Sequence, residues 1–232
     1  MAKKNKPPHL SNRDRSILEF VGRYRAATPD LLQRSCFRRR DSDANVRRVL
    51  ARLVKHRLLA EHGVGTSAKY YTPTRRGLSE TSFPSRTPRK LTEQTLPELL
   101  AVAEYCTAKK FRKFTPTEFA LLFPELWWSG SRSSVYIPRR VAGKLHLQLL
   151  LIDRGGADRR ITSRVRRVIA QRSRLPKFRV FIRSGRFEIV VLTGLVNQQT
   201  RIDRQLHRNS FGAVSVSTAL MPSLGNSLTL ER

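Results

Sequence analysis

The 232 residues carry 46 lysines and arginines against 17 acids, a formal charge of +29 at neutral pH, and 35 of the basic residues are arginine. A 39% hydrophobic content excludes a wholly disordered chain and suffices for packed cores, with two modest domains the expectation. The charge favours a polyanionic partner, and the arginine bias suits phosphate, because a guanidinium fork pairs two oxygens where an ammonium offers one point charge.

Residues 1–9 hold three lysines and two prolines with no apolar run behind them, so a disordered basic arm is expected. No stretch reaches the roughly eighteen apolar residues of a membrane span, and a cytoplasmic, nucleoid-associated location is expected. Cys36 and Cys106 are isolated in apolar helical patterns, which suits buried thiols better than a disulfide, a metal pair or a nucleophile.

The first helix is expected from Ser11, whose hydroxyl can cap a free amide while Asp14 stands near the positive end of the helix dipole. Ile17, Leu18, Val21 and Tyr24 share its apolar face. Thr28-Pro29 opens a second helix with Leu31, Leu32 and Cys36 inside, and Arg38-Arg39-Arg40 marks the following turn. A third helix, Ala44 to Arg57 with Asp43 as cap, buries Val46, Val49, Leu50, Leu53 and Val54. Asn45, Arg48, Arg52 and Lys55 are then expected on the opposite face, with Arg47 beside them, where a major groove would meet Arg for guanine or phosphate and Asn for adenine.

Leu58 to Glu61, a Gly63–Ser67 tip and Lys69 to Thr72 spell a hairpin directly after that helix. Its Lys69, and Arg75 and Arg76 just beyond, are candidate phosphate contacts. Residues 10–78 are thus expected to form a winged helix-turn-helix domain. Leu10 to Leu18, Val46 to Leu59, and Tyr71 with Thr74 and Gly77 resemble the replication-relaxation family, with Pro73 where its Tyr-x-Leu-Thr-x-x-Gly ending has leucine. The resemblance implies double-stranded DNA binding in plasmid or mobile-element replication or transfer control, or in transcriptional regulation. Replication or conjugation proteins and a second copy of the chain stay open as partners.

Residues 79–95, rich in Ser, Thr, Pro and basic side chains, are expected as a linker, 96–220 as a basic mixed α/β domain and 221–232 as a tail. The whole is then an α+β protein. Helices are expected at Leu96–Ala103 and Thr115–Leu122, and Trp127-Trp128 as core or interface anchors rather than base-stacking platforms. Strands are expected at Val135–Pro138, Lys144–Ile152, Phe178–Ile182, Arg186–Leu192 and Ala213–Ser217. Helices are expected at Arg160–Arg174 and Asn197–Arg208, the former turning Arg160, Arg164 and Arg167 outward as additional phosphate contacts.

By the same resemblance the second domain looks like a restriction-endonuclease-type core, which would hold a metal on an acid after a proline and on a Glu-x-Asp pair. Tyr136-Ile137-Pro138-Arg139 puts Arg139 at the first position, and Leu151-Ile152-Asp153-Arg154-Gly155 retains only Asp153 of the pair. A non-catalytic, degenerate core with no metal or cofactor is expected, Asp153 being a salt-bridged strand-end residue. The histidines, His9, His56, His62, His146 and His207, are scattered, and Gly155-Gly156 lacks the Gly-Lys-Ser/Thr ending of a phosphate loop. A metal-dependent nicking nuclease and an RNA- or ribosome-associated protein remain the alternatives.

Overall fold

The structure is a computed structural model that describes residues 9–64, 68–84, 91–155 and 158–228. It is an α+β protein of two compact units, Met1–Ala103 and Glu104–Arg232.

The first unit begins with α1 (Asn12–Tyr24), α2 (Pro29–Cys36) and α3 (Asp43–Lys55), followed by an antiparallel hairpin of β1 (Leu59–Val64) and β2 (Ala68–Pro73) and the short α4 (Arg75–Ser79). Each helix starts where a side chain takes over an orphan backbone donor. Ser11 and Asp14 form a reciprocal capping box on α1, and Thr28 accepts from the Leu31 amide ahead of Pro29. Ser42, not the expected Asp43, caps α3 by accepting from the Asn45 amide; Asp43 is the first helical residue, placed to meet the dipole. Ile17, Leu18, Val21, Leu32, Val46, Val49, Leu50 and Leu53 make one core with Leu58, Leu59 and Tyr71 of the hairpin. Tyr71 also bridges to Ala27, which ties β2 to the α1–α2 connection.

The Tyr71, Thr74, Gly77 ending has a physical explanation. The Thr74 hydroxyl donates toward the carbonyls of Arg57 and Leu58 and accepts from the Gly77 amide, capping α4. A Cβ on Gly77 would stand 1.9 Å from the Leu58 carbonyl oxygen, so only glycine fits.

The expected linker is partly structured. Glu19 of α1 accepts from the Ser82 amide, and the Phe83 ring lies beneath the Arg23 guanidinium at 5.2 Å. Residues 85–90 of that stretch lie outside the described ones, as do most of the basic arm and the hairpin tip at 65–67. The division between units falls inside α5 (Thr95–Lys109), not before it.

In the second unit, β3 (Val135–Val141) and β4 (Lys144–Ile152) form an antiparallel hairpin, and β5 (Phe187–Thr193) and β6 (Ser215–Leu220) continue the sheet parallel to β4 in the order β3-β4-β5-β6. The β3–β4 turn has only two residues, Ala142 and Gly143, both at positive φ, the tight turn that matches strand twist. Helices α7 (Asp158–Ser173), α8 (Pro176–Arg183) and α9 (Val196–His207) supply the crossovers that parallel strands need. Leu147, Leu149 and Leu151 of β4 and Phe187, Ile189 and Val191 of β5 share a core with Ile161, Val165, Phe178, Ile182, Ile202 and Leu206 of these helices. On the other sheet face Tyr105 of α5 donates to buried Gln148 at 2.9 Å.

Two expectations are corrected here. Phe178–Ile182 is not a strand but lies in α8: Phe178 and Ile182 are buried one turn apart while Val180 points to solvent. The expected tail is not a simple extension, since α10 (Pro222–Leu228) packs so that a Cβ on Gly194 would meet Gly225 backbone at 2.6 Å. The helix α6 (Pro116–Leu122) starts at Thr115 with a capping box to Glu118. Trp127 and Trp128 pack on the core, and Trp128 lies under the buried Arg172 guanidinium at 5.0 Å.

Candidate nucleic-acid interface

Because α3 buries Val46, Val49, Leu50 and Leu53, a turn of about 100° per residue leaves Ala44, Arg48, Ala51 and Lys55 along the centre of its outer face, with Arg47 on one flank. All five are exposed. Along that central stripe the two alanines alternate with Arg48 and Lys55, so small and cationic side chains share one line.

Asn45 and Arg52 lie on the other flank, turned toward α1 and the α2–α3 turn. Arg52 reaches the fully buried Asp14 at 2.6 Å while its own side chain stays 40% exposed. Burial pushes the Asp14 carboxyl up, but hydrogen bonds from Arg52 and from the Ser11 amide and hydroxyl outweigh it and hold it below the ordinary carboxylate value. Arg52, expected to contact DNA, is therefore first a structural tie between α1 and α3. Asn45 likewise spends its amide locally, donating to Asp41 at 3.0 Å and accepting from Arg48 at 3.0 Å. It holds Arg48 in place.

The α2–α3 turn is built around Asp41, which accepts from the Arg38 amide at 2.9 Å and lies 3.8 Å from Arg13. Gln33 of α2 donates to Asp43 at 2.9 Å and fixes the angle between the two helices. Arg38, Arg39 and Arg40 are left exposed beside the start of α3. In the sequence these three read only as turn residues; a charge run abutting the start of α3 is the signal that places them beside its outer face.

On the hairpin, Lys69 donates to Glu61 across the strands at 2.6 Å, and Tyr71 donates to the other Glu61 oxygen at 3.0 Å. Those two hydrogen bonds lower the Glu61 carboxyl pKa. Burial first, then the hydrogen bond and charge of Glu61, push the Tyr71 phenol up to about 12. Arg75 and Arg76 are exposed on the first turn of α4. The Cys36 thiol is pushed up to about 12 by burial, and Cys106 is fully buried.

In the second unit Arg160, Arg164 and Arg167 stand on one side of α7, and Arg164 donates to the Ile152 carbonyl at 2.7 Å. They line one cleft with Asp153, Arg154 and Arg159, two further arginines that the sequence reading left out. Asp153 lies just past β4 and accepts from Gln198 and from the Gly155 amide. Arg139 pairs with Glu188 at 2.7 Å, and Leu151 is buried in the sheet. Among the described residues no three His, Cys, Asp or Glu side chains converge, and no helix is long and apolar enough to cross a membrane. Compared with family models, curated proteins and solved structures, the chain matches none.

Proposed function

We propose that the chain is a non-catalytic double-stranded DNA-binding protein of the winged-helix type, in which α3 enters the major groove and the β1–β2 hairpin is the wing. The observation that carries this reading is the outer face of α3, where Ala44, Arg48, Ala51 and Lys55 alternate along one exposed stripe with Arg47 beside it, directly between an arginine-rich turn and a two-stranded hairpin. Exposed alanines let a helix sit deep enough for arginine to reach guanine edges, and a methyl group suits thymine. Arg38 to Arg40 beside the start of α3, Lys69 on the hairpin and Arg75 and Arg76 on α4 are the phosphate contacts of this reading.

The second unit adds backbone affinity through Arg160, Arg164 and Arg167 and descends from a nuclease-like core without cutting. Support comes from Asp153 and Arg139, which the motif resemblance aligns with that core's metal ligands. Asp153 is taken up by Gln198 and Gly155, and Arg139 by Glu188. The setting in plasmid or mobile-element replication, transfer or transcription control rests on the replication-relaxation resemblance.

Gel-shift titration of Arg48→Ala and Lys55→Ala tests the reading, with a loss of about 1 to 3 kcal/mol expected for a residue that reads a base. Parent-like binding by both variants overturns it. Stronger competition by structured RNA than by duplex DNA transfers the site to RNA, and magnesium-dependent nicking of plasmid that needs Asp153 replaces the non-catalytic reading with a nuclease.

A further inference from the structure

The arginine cleft of the second unit is more than a charged helix face. Along α7, Arg160 and Arg164 are one turn apart and Arg164 and Arg167 three residues apart, so their like charges repel on one stripe. The only acid in this helix is its first residue, Asp158. The chain leaving β4 adds Arg154, and Arg159 joins from the first turn, so among the described residues five guanidiniums and one carboxylate line this concavity. That carboxylate, Asp153, is already engaged by the Gln198 side chain and the Gly155 amide, which hold it at the strand end. Arg164 is anchored on the Ile152 carbonyl and so is fixed in place before any ligand arrives.

The position matters as well. Asp153 follows the last residue of β4, and β4, β5 and β6 run parallel, so the cleft opens at the carboxyl ends of parallel strands, where open α/β sheets take their ligands. A duplex backbone brings such a cleft only one charge per phosphodiester, where a terminal phosphate brings more. A concave site with five forks suits a phosphate group that enters end-on and carries several charges.

We propose that this cleft binds a terminal phosphate group, either the 5′-phosphate of a nucleic acid end or the phosphate chain of a free nucleotide. Arg160 and Arg167 are its gripping side chains, and Arg164 is their fixed neighbour. The inference deepens the phosphate-binding reading of the second unit and is independent of groove binding by α3.

The test is calorimetric titration of the full chain with inorganic tripolyphosphate, with citrate as a carboxylate of similar charge. Arg160→Ala/Arg167→Ala should weaken tripolyphosphate by about tenfold or more, because two charge-assisted contacts are lost. Arg160→Lys/Arg167→Lys, which keeps the charge and loses the fork, should fall between this variant and the parent. Arg183→Ala/Arg208→Ala, exposed arginines of the same unit, should bind like the parent. An equal loss in that control, no loss in the first variant, no tripolyphosphate binding by the parent, or equal binding of citrate overturns the proposal.

Two further arms name the source. Preference for a 5′-phosphorylated over a 5′-hydroxyl oligonucleotide, lost in Arg160→Ala/Arg167→Ala, assigns the cleft to nucleic acid ends. Displacement of tripolyphosphate by ATP without that preference assigns it to free nucleotides, and neither effect overturns the proposal. Arg48→Ala/Lys55→Ala run alongside keeps the failures apart, since it removes groove binding and leaves the cleft intact.

Discussion

Asp14 is a buried tie between two helices of the first unit. Its carboxylate is fully buried, closes the α1 capping box and receives Arg52, so the pair ties α1 to α3. Its folded pKa is depressed, so its stabilisation is complete above the ordinary carboxylate value of 3.8 and is lost as pH falls through the lower folded value. Asp14→Asn should therefore lower the melting temperature at about pH 5 and lose less on further acidification to about pH 2.5 than the parent does. An identical acid-side drop in both proteins would contradict the assignment. Arg52→Ala should destabilise by about 1 to 3 kcal/mol in urea unfolding, leaving a buried acceptor short of a donor. Gly77→Ala should cost at least as much, about 2 kcal/mol or more, because the new methyl meets backbone that cannot move aside; parent-like stability would refute the close approach to Leu58. The tie from Arg52 to Asp14 is not legible in the sequence, because a helical wheel separates inside from outside but does not say which flank meets a neighbouring helix with a buried acid.

At the scale of elements, most helix starts were legible because capping chemistry is local: Ser11 with Asp14 and Thr28 before Pro29 perform as their spacing implies, whereas α3 is capped one residue earlier than expected, by Ser42. The hairpin after α3 was legible for the same reason. The misread element was α8, where Phe178, Val180 and Ile182 alternate as in a strand while Phe178, Phe181 and Ile182 also satisfy the helical spacing. Pro176 at the first helical position was the arbiter, since proline loses no useful donor there. The cleft of the second unit was half legible: α7 periodicity placed Arg160, Arg164 and Arg167 together, but Arg154 joins them only through the tertiary path out of β4. The turn between α2 and α3 carries its own expectation. Replacing Arg38, Arg39 and Arg40 together by alanine should weaken specific and random duplex alike and reduce the salt slope of binding, as phosphate contacts do. A loss confined to the specific site would make them base readers instead.

For the whole molecule, a charge of +29 spread over both units means that affinity alone is weak evidence for a specific site. Neutralising some six to ten phosphates should reduce duplex affinity by about a thousandfold or more between roughly 50 and 200 mM salt. A binding constant flat across that range would mean the charge serves something other than a polyanion. What separates a sequence reader from a basic coat is the ratio of specific to random binding at fixed salt, and the proposed function assigns that ratio to the outer face of α3. The most direct measurement therefore selects duplexes from a random pool with the parent and compares their affinity with random duplex for the parent, for Arg48→Ala/Lys55→Ala and for Arg183→Ala/Arg208→Ala. The account predicts that the ratio collapses by about tenfold or more in the first variant and survives in the second. An unchanged ratio in Arg48→Ala/Lys55→Ala, or a pool from which the parent enriches nothing, would contradict it.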